Sequence, residues 1–105
     1  MGQITFSQAE TLFNNYNSVI PNSTDANAVW FDINDIATFI ANCKANSSVS
    51  GIRIYFGKYA PGLTTVFLTA TKGSGNADDA DLKSLAPLNY GHVGVPPRIT
   101  AFPKE

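Results

Sequence analysis

His92 is the only histidine of the 105-residue chain, and it lies in the run Gly91-His-Val-Gly94. An imidazole that titrates near neutrality can act as a general acid or base. Such a site needs a phenol or a carboxylate within reach, and Tyr55, Tyr90 or an aspartate of the 78–81 turn would supply it. The alternative is a loop histidine without a chemical role.

A second group of side chains suits binding rather than catalysis. Arg53 and Tyr55 alternate with apolar residues along one predicted strand, and Phe67 lies on the next. Arginine stacks on aromatic rings, and arginine and tyrosine are enriched at interface hot spots. We therefore predict a ligand-binding surface made of Arg53, Tyr55, Phe67, Tyr90 and His92. The competing interpretation is that the C-terminal segment covers this face, with Arg53 holding its backbone carbonyls.

The other reactive groups predict neither a catalytic nucleophile nor a metal site. Cys43 lies on the apolar stripe of a predicted helix, which favours a buried, inert thiol over a nucleophile paired with His92. Asp78, Asp79 and Asp81 lack the glycine and terminal glutamate of an EF-hand loop, so a solvated acidic turn is favoured over a cation site. One histidine and one cysteine are too few for a structural zinc site. We expect no metal and no cofactor.

Composition narrows the class of protein. The length suits one domain, residues 1–105, with a core of its own. A net charge of −1 provides no basic face for phosphates, so we do not expect nucleic acid as a partner. No apolar run approaches the length of a membrane span, and no signal peptide is visible, so we expect no membrane association. The single cysteine fits a reducing cytoplasm, where we place the protein.

Two stretches of alternating residues predict a β-hairpin over 51–72. Period-two alternation places each apolar set on one face of a sheet, and that face is expected to be buried. The apolar positions are Ile52, Ile54 and Phe56 in the first strand, and Val66, Leu68 and Ala70 in the second. A connection with an odd number of residues places Ile54 beside Leu68. We therefore expect the turn around Pro61-Gly62 to be longer than two residues, or to carry a bulge.

Two helices are predicted before the hairpin. Ser7-Gln-Ala-Glu10 matches a capping box at the start of the first helix, and Pro21 ends that helix. Residues 28–31 are short, apolar and aromatic, which suits a strand. Asp32 is the expected N-cap of the second helix, which ends at residues 46–48.

These elements together predict a single α+β domain. The two N-terminal helices pack on one face of a small, mainly antiparallel sheet that contains the 51–72 hairpin and the 28–31 strand. An irregular Gly/Pro-rich C-terminal segment, with one helical turn within 78–85, crosses the other face or an edge. A small sheet leaves an edge that can pair, so a protein partner or self-association as a homodimer is expected.

The run Gly51-Ile-Arg-Ile-Tyr-Phe-Gly57, followed by Leu88-Asn-Tyr-Gly-His-Val-Gly-Val-Pro-Pro97, resembles a pattern in an uncharacterised family of small standalone bacterial proteins. The resemblance implies that the hairpin and the Gly-His-Val-Gly loop belong to one unit, and it implies no activity. We expect a non-catalytic binding or protein-interaction module that uses the polar-aromatic hairpin face and the 88–97 loop. One alternative is a small hydrolase or isomerase that uses His92, and another is a partner-neutralising immunity or anti-defence protein.

Overall fold

A computed structural model describes residues 2–19, 27–59, 64–89 and 101–104 of the chain. Two helices, α1 (Phe6–Asn17) and α2 (Ile33–Ala45), precede the strands. The strands are β1 (Val49–Lys58), β2 (Thr64–Lys72), β3 (Ala80–Asp81) and β4 (Leu88–Asn89). The sheet is antiparallel throughout its described pairings. The predicted α+β class, with helices N-terminal to a mainly antiparallel sheet, is confirmed.

Helix α1 begins two residues earlier than the predicted capping box allows. The Thr5 hydroxyl accepts the Gln8 amide at 3.0 Å, and the Gln8 side chain accepts the Thr5 amide at 2.9 Å. The predicted box at Ser7–Glu10 is therefore wrong. The tetrad that starts at Thr5 satisfies the amides of Thr5 and Gln8 instead, and it brings Phe6 into the first turn.

Helix α1 contributes no buried residue to the core. Its Phe6 and Phe13 rings contact Phe102, with centroid separations of 5.8 and 6.0 Å. The C-terminal end of the chain therefore lies against this helix. The helix ends at Asn17, and the predicted stop at Pro21 lies outside the described residues.

Residues 28–31 lead into α2 without pairing in the sheet, so the predicted strand there is wrong. Aromatic and branched residues favour strands mainly because they suit half-buried surfaces, and a loop can bury the same side chains. Phe31 shows this, because it is half-buried against the core. Asp32 caps α2 as predicted, accepting the Asn34 amide at 2.8 Å.

The buried core lies between α2 and β2. Phe39 and Cys43, one helical turn apart, are 6% and 5% exposed. They pack with Leu68 and Ala70 of β2. The prediction that Cys43 is buried is confirmed, and this burial raises the pKa of its thiol. The partly buried residues packed around this cluster are Phe31, Val49, Leu82, Leu85 and Leu88.

Strand β2 is the centre of the sheet. Strand β1 pairs along one side of it, and β3 and β4 pair with different stretches of the other side. The paired positions of the hairpin include Ile54 with Leu68, Phe56 with Val66, and Lys58 with Thr64. That register leaves residues 59–63, an odd number, as the connection. The predicted register and the predicted long connection are therefore confirmed.

The apolar side of β1 is exposed, which contradicts the expectation that it is buried. Ile52, Ile54 and Phe56 are 41%, 59% and 79% exposed. On the same face of the sheet, Leu68 and Ala70 of β2 are covered by α2. Helix α2 therefore covers the central strand and leaves β1, the outer strand of the described sheet, uncovered.

Candidate functional site

The polar face of the hairpin is spanned by the segment 73–81, which we call the acidic loop. Arg53 on β1 reaches across β2 to this loop, and its Nη1 donates to Asp81 Oδ1 at 2.8 Å. Its Nη2 donates to the backbone carbonyls of Ala77 and Asp79, both at 2.6 Å. Arg53 thus holds backbone carbonyls, as the competing interpretation expects. These carbonyls belong to the acidic loop, which is the first part of the C-terminal segment.

Asp81 accepts hydrogen bonds from three side chains. Tyr55 donates to its Oδ2 at 2.5 Å, and Thr69 and Arg53 donate to its Oδ1. These bonds, led by that from Tyr55, lower the pKa of the Asp81 carboxyl. The Tyr55 ring stacks on Phe67 with the centroids 5.1 Å apart. An ionised carboxylate stabilised in this way is a weak proton acceptor, so this cluster is suited to holding the loop in place.

Asp79 organises the loop itself and is only 8% exposed. Its Oδ2 accepts from the Ser50 hydroxyl at 2.6 Å and from the amides of Gly75 and Asn76 at 2.8 and 3.2 Å. The Ser50 bond is the main cause that lowers the pKa of the Asp79 carboxyl. Gly73 permits this approach, because its φ is +149° and a Cβ there would overlap the Asp79 carboxylate.

The predicted solvated acidic turn is wrong for Asp79 and Asp81, and only Asp78 remains exposed. The predicted helical turn within 78–85 is wrong too. The segment contains β3 and then a turn at 83–84. The cause in both cases is long-range pairing, because the groups that bind these carboxylates come from β1 and β2.

A metal site finds no support in the described ranges. No group of three or more histidine, cysteine, aspartate or glutamate side chains there is arranged to hold a metal ion. The two inward-facing carboxylates, Asp79 and Asp81, already accept hydrogen bonds from protein donors. These carboxylate oxygens therefore bind groups of the protein itself and stabilise the fold.

On the opposite face, β1 and the helical layer enclose a groove of about 370 Å³, which we call the apolar groove. Phe31, Ile36 and Val66 are half-buried parts of its wall, and Ile54 and Phe56 form its exposed side. The polar members of its lining are Tyr16, Asn27 and Thr64. The groove is therefore a largely apolar surface with a few hydrogen-bonding groups.

The outward edge of β1 forms the third feature. In the described part of the chain β1 pairs only with β2, so its other backbone edge has no strand beside it. A shallow groove of about 590 Å³ follows this edge along Ser50–Ile54 and reaches the acidic loop. Backbone donors and acceptors are thus presented next to exposed apolar side chains.

The structure brings together three of the five residues predicted for binding. Arg53, Tyr55 and Phe67 form one half-buried cluster on the polar face. Tyr90 and His92 lie outside the described residues. Sequence reasoning missed the apolar groove, because it assigned Ile54 and Phe56 to a covered core. The alternation of apolar residues along the two strands does not indicate which strand lies at the edge of the sheet.

Comparison with known proteins assigns the chain to no family. No protein-family model matches the chain, and neither the curated proteins nor the solved structures contain a match. Among the described residues, neither helix is long and apolar enough to cross a bilayer. The geometry of the chain is therefore the basis for assigning a function.

Proposed function

We propose that the chain is a non-catalytic binding module that takes a small, largely apolar ligand in the apolar groove. The observation that carries the proposal is this groove beside exposed Ile54 and Phe56. Ligand sites are typically clefts of about 300–1,000 Å³ lined mainly by apolar side chains with a few polar groups. The volume of about 370 Å³ and the polar groups of Tyr16, Asn27 and Thr64 fit that description.

The polar-aromatic face is the weaker candidate for the binding surface. Both terminal nitrogens of Arg53 are engaged by its own acidic loop, and the side chains of Arg53 and Asp81 are only 27% and 35% exposed. A ligand carboxylate would have to displace those bonds before it gained any of its own. The apolar side chains that line most of the apolar groove require no such exchange, although its Asn27 already donates to Asn17 at 2.8 Å.

The chemistry of the described residues supports binding better than catalysis. A general base works best when its pKa lies near the operating pH, whereas the pKa of both Asp79 and Asp81 is lowered. The proposal also keeps a cytoplasmic location, which the buried free thiol of Cys43 suits. It includes no nucleic-acid partner, since a net charge of −1 gives phosphates little attraction.

The amphiphilic dye 1-anilinonaphthalene-8-sulfonate, whose aromatic part is apolar, tests this proposal by fluorescence titration. We expect a saturable site whose affinity falls at least about tenfold in Ile36→Phe, because the larger ring occupies the groove. Ile33→Phe is the matched control. Ile33 lies on the same helix, outside the groove lining, and is 74% exposed. Equal dye affinity in the two variants would reject the groove as the binding site.

A further inference from the structure

The central part of β1 lacks the features that usually protect an edge strand. Charges, prolines and bulges are the common means of preventing edge pairing. In β1 a register shift lies between Val49 and Gly51 at one end, and Lys58 closes the other end. Between them the only charge is Arg53, which is paired with Asp81 of its own chain. Within the described ranges, residues 52–57 therefore form an unpaired edge of high β-propensity.

We infer that this edge pairs antiparallel with the same edge of a second copy of the chain, which forms a two-fold dimer with one continuous sheet. A two-fold interface requires a surface that is complementary to itself. The row Ile52, Ile54 and Phe56 meets this requirement, because Ile54 lies at its centre. The row is exposed in the single chain, and pairing brings it beside the equivalent row of the second copy.

The side chains select one register. Directly opposed residues of antiparallel strands share a face, so the apolar row must oppose the apolar row. With Ile54 opposite its own copy, Ile52 faces Phe56 of the second copy. In the same register Arg53 lies opposite Tyr55, and both side chains can keep their hydrogen bonds to Asp81 of their own chain.

The neighbouring registers are less favourable. A shift of two residues in one direction sets Arg53 opposite Arg53, and like charges directly opposed are destabilising. A shift in the other direction sets Ile52 opposite Lys58, which places an ammonium group against the apolar row. Charge therefore favours the register centred on Ile54, and the net charge of −1 per chain adds little repulsion between two copies.

A charge-pair experiment tests the inference. Sedimentation across the micromolar to millimolar range is expected to show the unmodified chain shifting from its 11.2 kDa mass to twice that mass as the concentration rises. Ile54→Lys and Ile54→Glu are each expected to be monomeric, because the two-fold register sets identical charges face to face. An equimolar mixture of these variants is expected to recover the dimer. An unmodified chain that stays monomeric, or a dimer that persists in both variants alone, overturns the inference.

Cysteine crosslinking tests the register separately. Ile54→Cys is expected to form a disulfide between copies under mild oxidation, since opposed residues on antiparallel strands lie about 4.5–5.5 Å apart at Cα. Ile52→Cys is the matched control, because its two copies would be four residues apart along the strands, or about 13 Å. The native Cys43 is 5% exposed and gives the background. Equal crosslinking of both variants would refute this register.

These outcomes are distinct from those of the groove proposal. Ile36 lies on α2 and not on β1, so its variant changes the groove without changing the edge. Loss of dye binding in Ile36→Phe, together with an unmodified chain that stays monomeric, would support the groove alone. A dimer centred on Ile54 without Ile36-dependent dye binding would support the edge alone.

Discussion

Two phenylalanines, one on α2 and one on β1, are expected to differ sharply in their contribution to stability. Phe39 on α2 is 6% exposed and Phe56 on β1 is 79% exposed. A phenylalanine side chain buries about 200 Å², which at about 25 cal/mol per Å² is worth ~5 kcal/mol when fully buried. For Phe39→Ala this burial predicts a loss of about 3–5 kcal/mol. Phe56 has about a fifth of its surface buried, so Phe56→Ala is expected to cost no more than about 1 kcal/mol.

The assay is equilibrium unfolding in urea, followed by circular dichroism and by the fluorescence of Trp30, the only tryptophan. Each variant is measured at a concentration low enough to keep the chain monomeric, so that self-association does not add to the free energy of unfolding. Equal destabilisation by Phe39→Ala and Phe56→Ala would refute the reasoning, because it would mean that the apolar side of β1 is covered as fully as the α2–β2 core.

Two further predictions concern the acidic loop. Because the pKa values of Asp79 and Asp81 lie below the ordinary value near 3.8, the unfolded chain binds more protons in acid. Above about pH 5 these groups should therefore contribute their full stabilisation, and thermal stability should fall progressively as the pH drops below that value. The fall should be smaller in Asp79→Asn, and an identical pH profile for that variant would contradict the assignment. Gly73→Ala should lower the urea midpoint more than Gly75→Ala. Both glycines have positive φ, but only at Gly73 would the new Cβ overlap the Asp79 carboxylate, and equal losses would count against that contact.

The hairpin was predictable because its information is local. Alternation along β1 and β2 sets which residues share a face, and that constraint places Ile54 beside Leu68 whatever surrounds the pair. The same pattern carries no information about how many strands flank β1. Whether Ile54 is covered depends on where α2 lies, and α2 packs over β2. The exposure of β1 therefore required the three-dimensional structure.

The different burial of the three aspartates in the acidic loop could not be predicted from the sequence. Asp78, Asp79 and Asp81 look alike in the sequence, yet only Asp78 is exposed. The partners that distinguish them, Ser50 and Arg53, are more than twenty residues away along the chain. A sequence motif with fixed spacing cannot report such contacts. The cap of α2 was predictable, because Asp32 acts within two residues of its own position, whereas the cap of α1 is Thr5 and not the predicted Ser7.

The position of Cys43 allows its chemical reactivity to report how often the α2–β2 core opens. It is the single thiol of the chain, it lies in the α2–β2 core, and burial raises its pKa. A thiol-specific reagent can reach it only when α2 separates from the sheet or the chain unfolds. The rate of alkylation in the unmodified protein therefore measures how often that layer opens, and a ligand or second copy that stabilises the closed state would slow the reaction.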